Sequence, residues 1–250
     1  MGERQVVLGG IPTRVVDEGS GPVVVLVHAT PFDLEGWDGL AAALRPDHRV
    51  IRYDLPGHGA AAGAAFPTAD GLARGLVELL DLYDVPTAHV VGHSLGATIA
   101  QRCALDHPGR VGRLSLLSAR ATPSPVFSAL ANALRRDPAA VDLPMDRWFT
   151  PEQLARNGRV VRYARRLAET ISIEAWAAGL DLLSESDFLA ELPRLTIPVD
   201  VVVGEEDHGA KPEHGREIAD AIPQARFHLV ERARTLVALV DPELVAPLLI

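Results

Sequence analysis

A serine between two glycines is the strongest chemical signal in this sequence. The segment Gly92-His93-Ser94-Leu95-Gly96 follows an apolar β-branched run and precedes a helix-compatible one. This G-x-S-x-G spacing is typical of a nucleophile elbow, a tight strand-to-helix turn whose small residues let the strand and the helix close around the serine. A hydroxyl held there projects above the sheet at the positive end of a helix. The pattern therefore predicts that Ser94 is a nucleophile.

Strands and helices alternate on both sides of this turn. Unbroken apolar runs such as residues 22–27 favour strands that are covered on both faces, as in a parallel sheet. The sequence thus predicts an α/β fold with a mostly parallel, doubly wound sheet of about eight strands. The predicted strands are 5–8, 13–17, 22–27, 49–54, 88–92, 111–118, 197–204 and 225–230. The predicted helices outside residues 119–196 are 36–44, 68–83, 94–107, 211–222, 236–240 and 243–249, and residues 60–66 are expected to form a loop.

Residues 119–196 interrupt the alternation of strands and helices. They contain helical segments at 124–135, 150–170 and 173–183 and no convincing strand. A helical insertion at this point is expected to form a lid over the carboxyl ends of the strands, where doubly wound folds bind their ligands. We therefore expect a core of residues 1–118 and 197–250 that carries residues 119–196 as a lid.

The predicted lid contains aromatic and basic side chains that could bind a substrate. We expect Trp148, Tyr163 and Trp176 to contact it, although aromatic residues at such positions also occur as ordinary core. A group of arginines could hold a carboxylate or form a solvated face, and the sequence leaves both possibilities open. These arginines are Arg159, Arg162, Arg165 and Arg166.

Composition limits the class of protein. The chain has 250 residues, of which 48% are hydrophobic and 23% charged, as in soluble globular domains. Its net charge of -9 argues against nucleic acid and anionic membrane surfaces as partners, because both require a basic face. The N-terminus shows no signal-peptide pattern and no run is long enough to span a membrane, so we expect a cytoplasmic protein. Nothing indicates a metal site, a phosphate loop or a dinucleotide fingerprint, so we expect no cofactor and no metal.

The order of three features resembles the α/β-hydrolase superfamily: Ser94 in the elbow, Asp207 after a later strand, and a closing strand-loop-helix. Within that superfamily, residues 50–59, residues 148–151 and the approach to Asp207 are most similar to 3-oxoadipate enol-lactonases and related small esterases. The resemblance implies an α/β-hydrolase fold with Ser94 as nucleophile and Asp207 as the acid. It also implies an oxyanion hole made by the main-chain N–H groups of Leu95 and Thr30.

The resemblance further implies a histidine base in the loop after the last strand, and this chain does not have one there. Counting back from Pro242 at the final helix, the position of that histidine falls on Thr235, and no histidine follows His228. A threonine hydroxyl cannot act as a base near neutral pH. Among the other histidines, His28 beside the predicted oxyanion loop is the candidate for a substitute base.

Three functions are compatible with an elbow serine that lacks its base. The first is a weak or unusually assisted hydrolase of a small carbonyl substrate, an ester or a lactone. The second is a lyase, isomerase or cyclase in which the oxyanion hole polarises a carbonyl without an acyl-enzyme. The third is a binding protein that has lost its chemistry. The missing base argues against the first function, and the retained elbow argues against the third. All three stay open, and we place the hydrolase first. The sequence does not indicate an oligomeric state.

Overall fold

The computed structural model describes residues 2–63 and 66–250. Ala64 and Ala65, which belong to the loop predicted at 60–66, lie outside the described residues, as does Met1. Within the described ranges eight strands form one sheet in the order β1-β2-β4-β3-β5-β6-β7-β8. The strands are β1 Gly2–Leu8, β2 Ile11–Gly19, β3 Val23–Val27, β4 Arg49–Tyr53, β5 Ala88–His93, β6 Val111–Leu117, β7 Val199–Gly204 and β8 Ala225–Val230. The predicted sheet is confirmed.

The direction of the strands places the candidate site at one edge of the sheet. β1 and β2 form an antiparallel ribbon, and β2 pairs antiparallel with β4. All pairs from β4 through β3, β5, β6 and β7 to β8 are parallel. Val27 pairs with Tyr53 on one side and with Gly92 on the other. The carboxyl ends of the central strands therefore meet at a common edge, where such sheets bind their ligands.

Helices cover both faces of the sheet. In β3, Val24 and Leu26 point into a core cluster that includes Leu40 and Val245, whereas Val25 and Val27 point into the opposite cluster. This arrangement explains why β3 is apolar at every position. The helices are α1 Asp38–Leu44, α2 Ala69–Leu82, α3 Leu95–Asp106, α4 Pro125–Arg136, α5 Met145–Trp148, α6 Pro151–Arg156, α7 Arg159–Thr170, α8 Ile173–Glu185, α9 Pro212–Ala221, α10 Val237–Val240 and α11 Pro242–Leu249. In the parts of the chain that the structure describes, none of them is long and apolar enough to cross a membrane.

The stretch between β6 and β7 is helical, and all of it is described. It contains α4 to α8 and two short 3-10 helices, Pro138–Ala140 and Leu192–Arg194. The helix predicted over residues 150–170 is in fact two helices, α6 and α7. Asn157 adopts a left-handed conformation with φ of 44° and ends α6, a role that Asn shares with Gly at helix C-termini. The single-turn helix α5 was not predicted, because four residues show no helical periodicity.

Candidate active site

Ser94 occupies a sharp turn between β5 and α3. Its φ of 50° and ψ of -111° lie in a region that non-glycine residues rarely adopt. The turn closes because its neighbours are small. A Cβ on Gly96 would overlap the carbonyl oxygen of Val27, and a Cβ on Gly92 would overlap that of Gly96. The N–H of Ser94 is anchored by a 2.9 Å hydrogen bond to the carbonyl of Leu117 at the end of β6.

Two main-chain N–H groups accompany the Ser94 side chain. Leu95 is the first residue of α3, so its amide is one of those that a helix leaves without an internal partner. Thr30 follows β3 and lines the same pocket as Ser94. Among the described residues, neither amide donates a hydrogen bond to another protein group. Their role as an oxyanion hole, which the resemblance implies, stays a prediction.

His58 fixes the side chain of Thr30. Its Nδ1 lies 2.9 Å from the carbonyl oxygen of Pro56 and must therefore carry the proton. Its Nε2 then accepts a hydrogen bond from the Thr30 hydroxyl at 3.0 Å. Burial lowers the pKa of His58 to about 3, so the ring stays neutral and keeps this acceptor near neutral pH. No motif in the sequence links these two residues.

The contacts of His28 argue against the base role predicted for it. Nδ1 donates to the carbonyl of Ala29 at 2.9 Å, and Nε2 accepts a 2.9 Å hydrogen bond from the N–H of Leu55. Both ring nitrogens are therefore used by the main chain. Burial lowers the pKa of His28 to about 4. The ring orients the loop after β3 instead of facing Ser94 with a free nitrogen.

Asp207 lies in the loop after β7 and is only 2% exposed. Its Oδ1 accepts hydrogen bonds from the N–H groups of Gly209 at 2.8 Å and Ala210 at 3.0 Å. The same oxygen accepts a hydrogen bond from the Thr235 hydroxyl at 2.8 Å. Its Oδ2 is buried and has no hydrogen-bond partner among the described residues. Burial raises the pKa of Asp207, although its hydrogen bonds oppose the shift.

Thr235 is held from several sides in the loop between β8 and α10. Its carbonyl oxygen accepts hydrogen bonds from Nε2 of His93 at 2.9 Å and from the hydroxyl of Ser118 at 3.0 Å. Its side chain lines the same pocket as Ser94. The loop therefore brings residue 235 to Asp207 and to the pocket that contains the elbow serine.

The Ser94 hydroxyl forms no hydrogen bond with any described residue, and every histidine of the chain is described. Most of the histidine rings contact other groups: Ala29 and Leu55 for His28, Pro56 and Thr30 for His58, Ser115 for His89, Thr235 for His93, Arg120 for His214 and Asp200 for His228. In the described structure no histidine ring forms a hydrogen bond with the Ser94 hydroxyl.

A pocket opens in front of Ser94. Trp148 and Trp176 line it, and their contact with a substrate stays a prediction. Tyr163 does not line it, which corrects the third of these predictions. The Tyr163 hydroxyl instead donates to Asp33 at 2.8 Å, and the residue borders a separate groove. Other lining residues are Thr30, Ser118, Arg120, Phe127, Leu130, Pro144, Arg147, Leu180, Leu183, Gly209, Ala210 and Thr235.

The arginines of α7 do not reach this pocket. Arg159 pairs with Asp38 at 3.0 Å, and Arg166 lies 4.0 Å from a carboxylate oxygen of Glu35. Both arginines, with Arg162, border the groove beside Tyr163. The arginines that line the pocket are Arg120 and Arg147, which sequence analysis did not select. Within residues 2–63 and 66–250 no group of three or more His, Cys, Asp or Glu residues is placed to hold a metal ion.

A serine on a strand-to-helix elbow, at the carboxyl edge of a mostly parallel eight-stranded sheet, defines the hydrolase type of α/β protein. Comparison with known families agrees. Residues 22–242 match the family model described as alpha/beta hydrolase fold, and the chain belongs to this family. The superfamily resemblance inferred from the sequence is confirmed.

Individual relatives point to hydrolases. The chain is 26% identical over 216 residues to 3-oxoadipate enol-lactonase 2 of Acinetobacter baylyi, which covers 84% of this chain and 80% of that protein. The crystal structure of the enol-lactonase from Burkholderia xenovorans has a TM-score of 0.90 at 26% identity and covers 98% of this chain and 97% of that one. A hydrolase from Pseudomonas aeruginosa has a TM-score of 0.88 at 28% identity, with 98% and 96% covered. Such relatives support hydrolase activity in general.

Proposed function

We propose that this protein hydrolyses a small carboxylic ester or lactone through Ser94, without a histidine base. The names of its relatives, among them enol-lactonases, give the substrate class. The pocket in front of Ser94, lined by two tryptophans, offers an apolar site for such a small molecule.

The chemistry begins with attack of the Ser94 oxygen on the carbonyl carbon of the substrate. The negative charge that develops on the carbonyl oxygen is stabilised by the N–H groups of Leu95 and Thr30. Loss of one such donor costs about 3 kcal/mol of transition-state stabilisation in a measured case from another enzyme. Two donors would therefore contribute a large part of the stabilisation of the transition state. Collapse of the intermediate expels the alcohol and leaves an acyl group on Ser94, which water then hydrolyses.

The observation that carries the proposal is the contact between Thr235 and Asp207. A hydroxyl lies at 2.8 Å from the carboxylate, where a triad would have an imidazole. Because threonine cannot accept a proton near neutral pH, the Ser94 proton passes to solvent. Turnover is then expected to be slow. In proteases that lose a triad member, the oxyanion hole and substrate binding still give roughly 10³–10⁴-fold catalysis over water.

A non-hydrolytic reaction is the second candidate. It is favoured by the Ser94 hydroxyl, which has no hydrogen bond to any described residue and so is not engaged with a base. In a lyase, isomerase or cyclase the two N–H groups would polarise a carbonyl while Ser94 remained unmodified. A binding protein without chemistry is the remaining alternative.

We also propose that the helical insertion, residues 119–196, acts as the lid of this pocket. Trp148 and Trp176 come from it. The loop after β8 contacts it directly, since Arg234 donates to the carbonyl of Phe149 at 2.9 Å and also to that of Asp146. The Thr235 hydroxyl lies 3.3 Å from the carbonyl of Arg147. The loop that would carry a catalytic histidine therefore also anchors the lid.

A panel of short-chain nitrophenyl esters and lactones tests the proposal. Wild type should hydrolyse at least one of them slowly, Ser94→Ala should not, and the exposed-serine control Ser20→Ala should match wild type. A fluorophosphonate probe followed by peptide mass spectrometry should label Ser94. Turnover that survives Ser94→Ala would exclude the acyl-enzyme and support the non-hydrolytic alternative. A protein that binds these compounds without converting any would support the binding alternative.

A further inference from the structure

Arg120 is a cation in the pocket that contains the elbow serine. It follows the end of β6 by three residues and so lies at the carboxyl edge of the sheet, like Ser94. Its side chain lines the same pocket as Ser94 and Thr30. Its main chain is fixed, because Nε2 of Gln101 donates to the Arg120 carbonyl at 3.0 Å.

Arg120 differs from the other arginines that are at least partly buried, because it has no carboxylate partner within the described structure. Each of the others forms an ion pair. These pairs are Arg14 with Asp54, Arg49 with Asp17, Arg52 with Asp38, Arg102 with Glu191, Arg110 with Asp81, Arg113 with Asp200 and Arg234 with Glu206. A guanidinium that is withdrawn from water is usually paired, since burying an unpaired charge is costly.

The groups in direct contact with Arg120 are neutral, and the carboxylates of Glu213 and Glu217 offset its charge only from a distance, without an ion pair. One terminal nitrogen contacts the ring of His214 at 2.7 Å, and the other lies 3.5 Å from the carbonyl of Pro123. Burial lowers the pKa of His214, and the neighbouring Arg120 lowers it further, so the ring is a neutral acceptor. Nε of Arg120 is buried and has no partner among the described residues. A guanidinium with one unpartnered nitrogen and no direct ion pair therefore remains beside the pocket.

We propose that Arg120 binds a carboxylate of the substrate, at the end of the molecule away from the carbonyl that Ser94 attacks. The planar guanidinium fork matches a carboxylate, and the pairing would supply the direct ion pair that this arginine lacks. Leu130, Leu180 and Leu183 line the same pocket and suit a short hydrocarbon chain between the two groups. The inference rests on the proposed function and narrows its substrate to a carboxylate-bearing ester or lactone.

Binding to a Ser94→Ala background tests this subsite without requiring turnover. The ligands are monomethyl glutarate, which has one carboxylate and one ester, and dimethyl glutarate, which has no charge. Titration calorimetry, or the fluorescence of Trp148 and Trp176, measures their affinity. We expect the monoester to bind about tenfold or more tightly than the diester, as a charge-assisted hydrogen bond supports.

Substitutions assign the difference to a residue. Arg120→Gln should remove the preference for the monoester and leave diester affinity unchanged, and Arg120→Lys should restore part of it. The matched control is Arg136→Gln, an exposed arginine of α4, which should bind as the parent does. Each variant is first checked for its folded circular dichroism spectrum. If Arg120→Gln does not fold, the affinities of the two ligands for the parent and for Arg120→Lys still test whether the preference for the monoester depends on Arg120.

Several results would overturn the subsite. Equal affinities for the two ligands, an unchanged preference in Arg120→Gln, or a preference that depends on Arg147 instead would each do so. Tighter binding of propylphosphonate than of butyrate would contradict the proposal, because the subsite would then prefer a phosphate-like group to a carboxylate. The outcome is separate from that of the proposed function. Arg120-dependent binding in a protein that hydrolyses no ester would support the carboxylate subsite and contradict the hydrolase function. Ester hydrolysis without Arg120-dependent binding would support the hydrolase function and contradict the subsite.

Discussion

The hydroxyl of Thr235 donates a 2.8 Å hydrogen bond to the carboxylate of Asp207. The main chain at residue 235 is fixed by His93 and Ser118, and Asp207 receives two further N–H donors. The loop and the carboxylate thus hold this position firmly. Its side chain, however, ends in a group that can donate to the carboxylate but cannot accept a proton from Ser94 near neutral pH.

The link between His58 and Thr30 predicts an effect on turnover. Thr30→Val removes the hydroxyl that donates to His58 while keeping the branched shape, so the loop that carries the Thr30 N–H should lose its orientation. Because the proposed mechanism uses that N–H to stabilise the developing oxyanion, kcat should fall about three- to tenfold with little change in KM. The measurement is steady-state kinetics on the best ester of the panel. The exposed-site control Thr170→Val should leave both constants unchanged, and an effect on KM alone would contradict the orienting role.

Two glycine substitutions should act in opposite directions. Gly96→Ala places a Cβ against the carbonyl of Val27, so the elbow must shift and the protein should lose about 3 kcal/mol or more of unfolding free energy. Gly75→Ala lies in α2 with no atom within 4 Å of the new Cβ and should gain about 0.5–1 kcal/mol. Urea unfolding measures both. A Gly96→Ala protein as stable as wild type would mean that strand and helix do not pack this closely.

Buried histidines predict that stability falls in mild acid. Burial lowers the pKa of His28 and His93 to about 4 and that of His58 and His89 to about 3, from 6.5 in the unfolded chain. The unfolded state therefore binds more protons below pH 6.5. The stability that these neutral histidines contribute is fully present above that pH. The unfolding free energy then decreases as the pH falls, by up to about 1.4 kcal/mol per pH unit for each histidine.

Urea unfolding at pH 7, 6 and 5 checks this dependence before most carboxylates titrate. His89→Asn replaces a ring whose hydrogen-bond partner in the described structure is Ser115, outside the Ser94 pocket, and should make the dependence shallower by up to one proton. His107→Asn, at a half-buried surface position, serves as the comparison. A stability that stays constant from pH 7 to 5 would show that these rings are not buried in neutral form.

Much of the fold could be predicted because its signals are local. The unbroken apolar run of β3 and the Thr68 cap of α2, whose hydroxyl accepts a hydrogen bond from the N–H of Gly71, are visible in the sequence. The break between α6 and α7 was missed, although Asn157 and Gly158 mark it, because the flanking segments are both helical in character. The single-turn helix α5 depends on its tertiary contacts, which the sequence does not show.

The site was predictable only where a motif exists. Ser94 and Asp207 were selected by spacing and order, and residue 235 by counting from Pro242. Arg120 was missed because a single arginine after a strand has no periodic signal, and its lack of an acidic partner is a tertiary property. Tyr163 was placed wrongly because the face of α7 that meets the core determines where it points, and Asp33 binds its hydroxyl. The sequence predicts His28 as a candidate base because it does not show the two main-chain contacts that occupy both ring nitrogens.

Restoring the imidazole tests the central claim most directly. Thr235→His should place a base between Asp207 and Ser94, since the loop and the carboxylate that would orient it are already present. Proton transfer to a positioned base contributes typically 10²–10⁴-fold, so kcat/KM for short esters should rise about a hundredfold or more. Thr235→Ser is the matched control, because it keeps the donor to Asp207 without a ring.

The decisive measurement is kcat/KM of Thr235→His on the ester panel beside wild type, Thr235→Ser and the double variant Thr235→His/Asp207→Asn. A gain of about a hundredfold that Thr235→Ser does not share, and that is much reduced in the double variant, would establish a hydrolase site lacking only its base. A folded Thr235→His protein with wild-type activity would contradict that account.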